Sequence, residues 1–481
     1  MKLRPTLRVL GRLLTVLALA ECLPVAVCWW YGEHRGIVAF VITALATGLC
    51  GFLMSRAGRE GELYRREGIL IVVAGWLLAS VFGALPYLVS GAMSSPVDAL
   101  FESASGFTTT GASILADIES TGKGVLFWRS FTQWLGGMGI IVLFVALLPE
   151  IGPGARFLYK LEVPGPTAET LHPRVHDTAA VLWKTYVYLS LAEVVALVLA
   201  GLDLYDALTH TFSTLSTGGF SPRNASVAAF DSPFVETIVI VFMVAAGVNF
   251  SLYFGFRRHL GRKLVTDPEF RLYLGLILGA SVLVAWSLMS SGGYTFLPRA
   301  FLDAVFQVVS IMTTTGFATA DYDAWPSLAR LLMVGLMFIG GCAGSTAGGL
   351  KVMRLAIGLK SAFREVRSIF SPSLVLRIFV GGKAVPDAVV RSVAGFFILY
   401  FTSWALGTLF LTLGGIDLET SASASIATLG NIGPGLAEVG PTKNFAFWTD
   451  AQKLMMVLLM WLGRLEVYAI AALFTASYWR R

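Results

Sequence analysis

Residues 105–113 read SGFTTTGAS, and three later stretches repeat this pattern of threonine or serine running into a glycine. They are FSTLSTGGFS at 212–221, SIMTTTGFAT at 310–319 and ASIATLGNIGPG at 424–435. The simplest alignment pairs Gly111, Gly218, Gly316 and Gly430. These glycines lie about a hundred residues apart, so each interval has room for two membrane crossings and a short segment between them. One chain therefore carries four copies of one module.

The four loops predict an ion pore built from a single polypeptide. A ring of backbone carbonyls from short Thr/Gly loops can replace the hydration shell of a potassium ion. Glycine allows the backbone to turn where a side chain would clash. The alternative is that each loop is an ordinary bend in a chain with 50 glycines. Four copies at similar spacing favour the pore.

The composition is that of a polytopic membrane protein. With 56% hydrophobic and 14% charged residues, the chain is too apolar for an ordinary soluble globule. Apolar runs of the length that crosses a bilayer recur along it. We expect ten spans, at 12–31, 36–55, 68–91, 124–148, 179–201, 234–256, 271–291, 328–357, 390–414 and 449–478.

An even number of spans places both termini on one side of the membrane. We interpret the basic and apolar N-terminus as a retained first helix rather than a cleaved signal peptide. With both termini in the cytoplasm, most of the 36 Lys and Arg residues fall in cytoplasmic segments, as the positive-inside rule requires. The net charge of +6 then needs no nucleic-acid partner.

No catalytic pattern is evident in the sequence. The four cysteines and five histidines show no metal-ligand or disulfide spacing, and no nucleotide-binding motif occurs. A membrane-embedded enzyme would need a cluster of ionisable residues within the spans, whereas Glu193, Glu236 and Glu466 are isolated or near span ends. We therefore expect no enzyme activity and no bound cofactor.

A short segment precedes each Thr/Gly loop. The segments at 97–106, 203–213, 301–311 and 417–426 are too short to cross the membrane and begin with acidic residues. Carboxylates suit the positive N-terminal end of a helix, which leaves the partially negative C-terminal end directed at the loop. We predict four re-entrant pore helices.

A glycine-rich stretch interrupts the predicted span at 328–357. It contains Gly340, Gly341, Gly344, Ser345, Thr346, Gly348 and Gly349. Glycine at this density destabilises a helix, so we predict a broken helix beneath the filter. The alternative is a packing face in which every fourth residue is small.

Arg464 lies within the last apolar run, two residues before Glu466. An arginine deep in a membrane is costly unless it is paired or hydrated. We expect Arg464 to face the ion pathway, and we do not expect a simple bond to Glu466, because residues two apart on a helix point to different sides.

The predicted fold is an all-α polytopic membrane protein with four pseudo-repeats around a central pore. Each repeat consists of a span, a pore helix, a filter loop and a second span. The predicted divisions are an N-terminal hairpin at 1–66, pore repeats at 67–160, 161–265 and 266–385, with the gating loop 340–349 in the third, and a fourth repeat at 386–481.

Several motifs resemble the Trk/Ktr/HKT superfamily of potassium transporters, and within it the TrkH branch. They are ALFESASGFTTTGAS, FSTLSTGGFSP, FQVVSIMTTTGFATADYDAWP, ATLGNIGPG and GGCAGSTAGGLKVMR, together with Arg464. The resemblance covers nearly the whole chain, including the extra N-terminal hairpin that is typical of this branch.

The resemblance implies a set of filter and gate residues. The implied filter residues are Thr109, Thr110, Gly111, Ser216, Thr217, Gly218, Thr314, Thr315, Gly316, Thr428, Leu429, Gly430 and Asn431. The stretch 340–349 corresponds to an intramembrane gating loop, and Arg464 to an arginine that projects into the pathway. The fourth repeat departs from the pattern, since Leu429 replaces threonine and Asn431 follows the glycine.

The resemblance also implies potassium uptake across the bacterial inner membrane by a gated pore. It implies a homodimer in which each subunit has its own pore, and a TrkA-like cytosolic regulator that binds nucleotides. Proton- or sodium-coupled potassium symport remains the alternative. Coupled transporters usually show two inverted repeats, whereas this chain shows four parallel ones, which favours the pore.

Overall fold

The computed structural model describes residues 3–61, 63–139, 175–253, 264–370 and 376–480. Within these ranges the chain is almost entirely helical, as predicted. The N-terminal segment contains α1 (Leu3–Glu21), α2 (Leu23–Trp30) and α3 (His34–Ala57). Pro24 in the first turn of α2 accompanies the break after α1.

Each of the next segments supplies a long helix, a short pore helix and a further helix of 11–15 residues. The helices before residue 300 are α4 (Arg65–Val89), α5 (Pro96–Phe107), α6 (Lys123–Gly137), α7 (Val175–Leu199), α8 (Leu204–Leu215), α9 (Pro233–Ala246), α10 (Pro268–Ser290) and α11 (Leu297–Met312), which ends at residue 312.

The remaining elements include one small hairpin of two antiparallel strands. They are α12 (Ser327–Met337), α13 (Val352–Phe370), β1 (Phe379–Val380), β2 (Lys383–Ala384), α14 (Asp387–Thr412), α15 (Leu418–Leu429), α16 (Asp450–Arg464), α17 (Tyr468–Leu473) and α18 (Ala476–Trp479).

The short helices α5, α8, α11 and α15 confirm that a short helix precedes each Thr/Gly loop. Three have 12 residues and α11 has 16. A 12-residue helix is only about 18 Å long, too short to cross the hydrocarbon core. Acids of these helices form ion pairs, and Asp303 lies in the second turn of α11 rather than at its start. Asp98 pairs with Lys453 at 2.6 Å, and Asp303 with Arg299 at 2.9 Å.

The second helix of every repeat ends early. We predicted a break only in the third repeat, but α6, α9, α12 and α16 contain just 15, 14, 11 and 15 residues. Continuous spans at 234–256 and 449–478 are therefore wrong, and 140–174 lies outside the described residues. Glycines accompany each break, at Gly137, Gly247, Gly340 and Gly463. Glycine lowers helix stability, so it explains why the helices stop there.

Contacts across the molecule attach the N-terminal hairpin and join the first repeat to the last. The Glu33 carboxylate accepts hydrogen bonds from the amides of Lys123 at 2.5 Å and Gly124 at 3.0 Å. It thereby caps α6, whose own N-cap residue makes no side-chain bond. On the other side, Phe101 of α5 packs in one apolar cluster with Phe445 and Trp448. The first pore helix thus packs against the segment that precedes α16 in the fourth repeat.

Candidate ion pathway

The four pore helices end in the same backbone conformation. After the cap residue of each helix comes one non-glycine residue with positive φ: Thr109 (55°), Thr217 (54°), Thr314 (59°) and Asn431 (54°). The left-handed region is unfavourable for threonine, so holding it there costs about 1–3 kcal/mol and points to a functional constraint.

The next amide in each loop closes a Schellman-type hydrogen bond back to the helix. The four bonds, each 2.8 Å long, run from Thr110 N to Ser105 O, from Gly218 N to Ser213 O, from Thr315 N to Ser310 O and from Ile432 N to Ala427 O. Each loop is therefore fixed to its own helix by local backbone bonds.

A glycine with positive φ then follows in every loop: Gly111 (81°), Gly219 (76°), Gly316 (81°) and Gly433 (97°). A Cβ atom on Gly111 would lie under 3.0 Å from the carbonyl oxygen of Gly218 in the next loop. The same holds for Gly219 against Thr315, Gly316 against Ile432, and Gly433 against Thr110. These contacts return to the first loop and define a closed ring, formed by residues 110–111, 218–219, 315–316 and 432–433.

The ring corrects the alignment expected from the sequence in the second and fourth loops. Gly219 and Gly433, rather than Gly218 and Gly430, occupy the position of Gly111. Gly430 is the cap residue of α15, the role that Thr108 has for α5. The backbone conformation after each pore helix shows which glycines are equivalent. The order of residue types alone could not show it.

The shift also moves three other predicted filter residues. Ser216 is the cap residue of α8, while Thr428 and Leu429 lie in the last turn of α15. Asn431 takes the left-handed position that threonine holds in the other loops. Its amide nitrogen donates to Thr110 Oγ1 and to the Met460 carbonyl, both at 3.0 Å. The fourth loop is therefore joined to the first by a side chain.

Two open cavities lie on either side of this region. The outer cavity, of about 820 Å³, is lined by all four ring glycines, Gly111, Gly219, Gly316 and Gly433. The inner cavity, of about 620 Å³, is lined by Gly348, Gly349, Lys351 and Arg464 among others. Among the described residues, the two cavities share no lining residue.

Residues 338–351 form this segment, here called the intramembrane stretch, between α12 and α13. The predicted broken helix is confirmed. Its contacts reach the second repeat and the Thr/Gly loop of its own repeat: Cys342 N donates to Gly247 O at 2.9 Å, Thr346 Oγ1 to Ala246 O at 3.1 Å, and Gly348 N to Thr314 Oγ1 at 2.7 Å. The last contact places the stretch directly against the third filter loop.

The alternative of a helix-packing face is wrong for this stretch, because the residues are not helical. The backbone folds back on itself, with Gly340 N donating to Leu350 O at 2.7 Å. A Cβ atom on Gly340 would collide with the carbonyl of Gly348, and one on Gly348 with the carbonyl of Gly430. Close approach of backbones therefore explains these glycines. Gly341, Gly344, Ser345 and Gly349 lie in the same folded segment.

Glu269 supports the stretch, and we did not single it out from the sequence. Its Oε1 atom accepts hydrogen bonds from the amides of Ala343 at 2.8 Å and Met353 at 3.0 Å. The side chain is 6% exposed. In the sequence, a carboxylate in the first turn of α10 looks like a residue that stabilises the helix dipole. Nothing in the sequence therefore indicates that Glu269 also binds the stretch.

Arg464 bridges three parts of the pathway. Its guanidinium donates to the carbonyls of Gly136 at 2.5 Å and Gly137 at 2.7 Å, where α6 ends. It also donates to the Thr346 carbonyl in the stretch at 2.9 Å and contacts Thr109 Oγ1 at 3.3 Å. Arg464 lines the inner cavity. All four of these acceptors are neutral oxygens.

More charged residues lie around the inner cavity. Glu466 pairs with Arg354 at 2.5 Å, and the Arg354 guanidinium lies 4.1 Å from the centre of the Phe396 ring. Lys351 is 2% exposed, and its ammonium group donates to the carbonyl of Ala347 within the stretch. The inner cavity is therefore lined by Lys351 and Arg464 together with Glu466.

A second polar network lies behind the ring and was missed in the sequence. Glu102 of α5 and Arg129 of α6 form an ion pair of 2.5 Å, with exposures of 0% and 2%. Gln133, one turn further along α6, contacts the second filter loop. Polar residues within an apolar span indicate a functional site. That feature of the sequence could have identified Glu102, Arg129 and Gln133.

No candidate metal centre competes with the pathway in the part of the chain that the structure describes. Across those ranges, no three His, Cys, Asp or Glu side chains come together in a way that would hold a metal ion.

Comparison with known proteins gives one consistent result. The model of the TrkH family, described as a cation transport protein, matches residues 34–481. The chain is 39% identical to the Trk system potassium uptake protein TrkH of Halomonas elongata, and also to that of Escherichia coli strain K12; each match covers all of both chains.

A solved structure agrees with these relatives. The crystal structure of the potassium transporter TrkH from Vibrio parahaemolyticus superimposes with a TM-score of 0.90 at 37% identity, covering 100% of both chains. The family is one of transporters and not of enzymes. This chain therefore belongs to the TrkH family of cation transport proteins.

Proposed function

We propose that this protein takes up potassium across the bacterial inner membrane through a gated, channel-like pore. The observation that carries the proposal is the closed ring of four glycine-to-carbonyl contacts between two cavities. A ring of backbone carbonyls is the construction that replaces the water around K⁺. The names of the curated relatives, potassium uptake proteins, support the choice of ion.

The proposed selectivity filter consists of the ring and the left-handed residue before it in each loop. It includes Thr109, Thr110, Gly111, Thr217, Gly218, Gly219, Thr314, Thr315, Gly316, Asn431, Ile432 and Gly433. The pore helices end at these loops, so their partially negative C-terminal ends stabilise a cation there.

The proposed gate combines the intramembrane stretch with Arg464. The stretch lies against the third filter loop, and Arg464 holds it through the Thr346 carbonyl. A fixed positive charge also repels the ion: at an effective dielectric of about 20, two unit charges roughly 4 Å apart interact by about 4 kcal/mol before screening. Opening then requires the stretch and the guanidinium to move away from the pathway.

Recording currents from the purified protein in bilayers tests the proposal directly. With different K⁺ and Na⁺ concentrations on the two sides, we expect the reversal potential to follow the K⁺ gradient. A reversal potential that moves with the proton or Na⁺ gradient would instead support the coupled symporter. Absence of any K⁺ current after reconstitution, with uptake in cells intact, would argue against a channel.

We further propose that both termini are cytoplasmic, that the protein forms a homodimer with one pore per subunit, and that a cytosolic nucleotide-binding regulator docks on α13. This helix directly follows the stretch and exposes Phe363, Val366 and Ile369 beside basic residues. The run SIFSPSLVLRIF at 368–379, which mixes apolar and basic residues, extends beyond this helix, and residues 371–375 lie outside the described ranges.

The regulator is tested by co-purification and by recording with and without nucleotide. Arg354 is unsuitable for neutralisation, since it is buried and paired with Glu466. The variant Arg364→Gln/Arg367→Gln removes two charges of this helix, of which Arg367 is exposed and Arg364 is half-buried and paired with Asp387. We expect it to weaken binding of the regulator and to abolish the nucleotide response while leaving basal current. Intact binding, or a nucleotide response of this chain alone, would contradict the proposal.

A further inference from the structure

The side chain of Gln133 holds the second filter loop on both sides of its ring glycine. Its Nε2 donates to the Gly218 carbonyl at 2.6 Å, and its Oε1 accepts from the Phe220 amide at 3.1 Å. One partner is only an acceptor and the other only a donor, so a single orientation of the amide satisfies both. Gln133 is completely buried.

The carbonyl that Gln133 binds belongs to the ring itself. It is the oxygen that a Cβ atom on Gly111 would strike. A carbonyl oxygen has two lone pairs, so a hydrogen bond from behind leaves the other available to an ion. Within the described ranges, no side-chain donor contacts the ring carbonyls of Thr110, Thr315 or Ile432. Gln133 therefore contacts the ring at one position, the Gly218 carbonyl of the second loop, which lies against Gly111 of the first loop.

The shape of the second loop agrees with this role. At the position of Gly218, the first and third loops have Thr110 and Thr315, whose hydroxyls bond to Thr108 and Thr313 at 2.8 and 2.7 Å. A Cβ atom on Gly218 would lie under 3.0 Å from the Gln133 side chain. The glutamine amide thus occupies the space that a side chain takes in those two loops.

The buried ion pair beside Gln133 fixes the outer part of the same loops. Arg129 donates to the Ser221 carbonyl at 3.0 Å, and its guanidinium lies 3.8 Å from the centre of the Phe220 ring. Glu102 accepts from the Ile114 amide at 2.8 Å and from Ser113 Oγ at 3.0 Å. The first two loops are therefore joined through charged side chains of α5 and α6.

The later loops are held differently, by neutral groups of their own pore helices. Gln307 of α11 lies within hydrogen-bonding distance of Thr319, and Ser423 of α15 bonds to the Leu436 amide at 3.0 Å. These contacts lie beyond the ring, two or three residues past its glycines. Within the described ranges, the second loop is thus the one whose ring carbonyl accepts a hydrogen bond from a side chain of another helix.

We propose that Gln133 is a positioning residue for potassium selectivity, which rests on the proposed role of the ring as the filter. A smaller cation such as Na⁺ is well coordinated only if the carbonyls move towards the axis. The hydrogen bond from Gln133 restrains the Gly218 carbonyl from behind, and the bond to Phe220 stops the loop from following. Loss of the amide therefore admits Na⁺ more readily without removing any ring atom.

The test is Gln133→Met, with Gln452→Met as its matched control. Methionine has a similar volume and no amide. Gln452 of α16 is also buried and donates to a backbone carbonyl, that of Leu411, at 2.9 Å, while accepting from the Thr449 amide at 3.1 Å. Its partners lie outside the ring. Both variants thus lose a buried amide with the same type of partners, and only one loses contact with the ring.

We expect the K⁺/Na⁺ permeability ratio from reversal potentials to fall about fivefold in Gln133→Met, the effect of roughly one hydrogen bond. Gln452→Met should keep the wild-type ratio. A folded Gln133→Met protein with unchanged selectivity would overturn the inference. An equal fall in Gln452→Met would also overturn it, since any buried amide would then suffice.

A second variant reaches the same contact from the loop and keeps the test valid if Gln133→Met does not fold. Gly218→Ala adds a methyl group that displaces the glutamine amide, so selectivity should fall by a similar factor. In the double variant, the losses should not add, because both changes remove one interaction. Additive losses would show that Gln133 acts elsewhere.

Failure of the filter itself has a different signature. Gly219→Ser places a side chain against the Thr315 carbonyl. If that variant keeps wild-type selectivity, the proposed filter is wrong. If it loses selectivity while Gln133→Met does not, the filter stands and only the role of Gln133 is refuted.

Discussion

The ring and the intramembrane stretch are both glycine-rich, non-helical and deep within the protein, yet they are held in different ways. Each ring loop is bonded to its own pore helix by a 2.8 Å backbone hydrogen bond. The stretch depends on groups from distant elements, among them Gly247, Glu269 and Arg464. Local bonds persist when neighbours move, whereas contacts between elements can be broken together. This difference supports the proposal that the ring selects ions while the stretch moves.

The largest effect is expected from Arg464→Ala, which removes both the charge and the hydrogen bond to the stretch. With a barrier of up to about 4 kcal/mol before screening, K⁺ flux should rise on the order of tenfold to a hundredfold. Rubidium uptake into vesicles measures it. A folded alanine variant that conducts no better would show that Arg464 is only structural.

Arg464→Lys sharpens the same comparison. Lysine keeps the charge but cannot reproduce the planar fork that contacts Gly136, Gly137 and Thr346. Low flux in the lysine variant would identify the charge as the barrier. High flux would identify the hydrogen bonds as the closing contacts.

A smaller effect is expected from deletion of Gly341 to Ser345. The deletion removes the Cys342 bond to Gly247 and the Ala343 bond to Glu269, but leaves Arg464 in place. Rubidium uptake should therefore increase several-fold, by less than in Arg464→Ala. Unaltered uptake in a folded deletion variant would mean that the stretch does not move during conduction, and that its difference from the ring is one of shape alone.

Gly111→Ser tests whether the ring selects ions. The backbone φ of 81° strains any side chain, and the added Cβ meets the Gly218 carbonyl. The strain is of order 1–3 kcal/mol, so the K⁺/Na⁺ permeability ratio should fall up to about tenfold, with total flux little changed. Gly279→Ser is the control, because Gly279 lies in the α10 helix with open space around it. Unchanged selectivity in Gly111→Ser would count against a filter at this loop.

The smallest effect distinguishes the two alignments of the fourth loop. Gly430 is a helix cap, a position where the other loops have threonine or serine, whereas Gly433 belongs to the ring. Gly430→Ala should change selectivity by less than about twofold, and Gly433→Ala should lower it clearly. Bi-ionic reversal potentials of both variants decide the matter. The opposite order would restore the alignment on Gly430.

The fold class and the outline of the site could be predicted because they depend on local patterns. Apolar runs of membrane-spanning length, short acid-started segments and repeated Thr/Gly loops are all visible in consecutive residues. The break at 340–349 was also predictable, since glycine lowers helix stability wherever it occurs. The early ends of α6, α9 and α16 follow from the same rule, but their fewer glycines did not stand out.

By itself, the sequence indicated a four-module membrane protein with Thr/Gly loops at 105–113, 212–221, 310–319 and 424–435 and an arginine at 464 within the last apolar run. Only the tertiary structure decided which glycine of each loop enters the ring, because that depends on which carbonyl of another loop lies against it. It alone also revealed the supports supplied by Gln133 and Glu269. Such contacts join residues far apart in the chain, and no periodicity or spacing encodes which backbone group a side chain will meet.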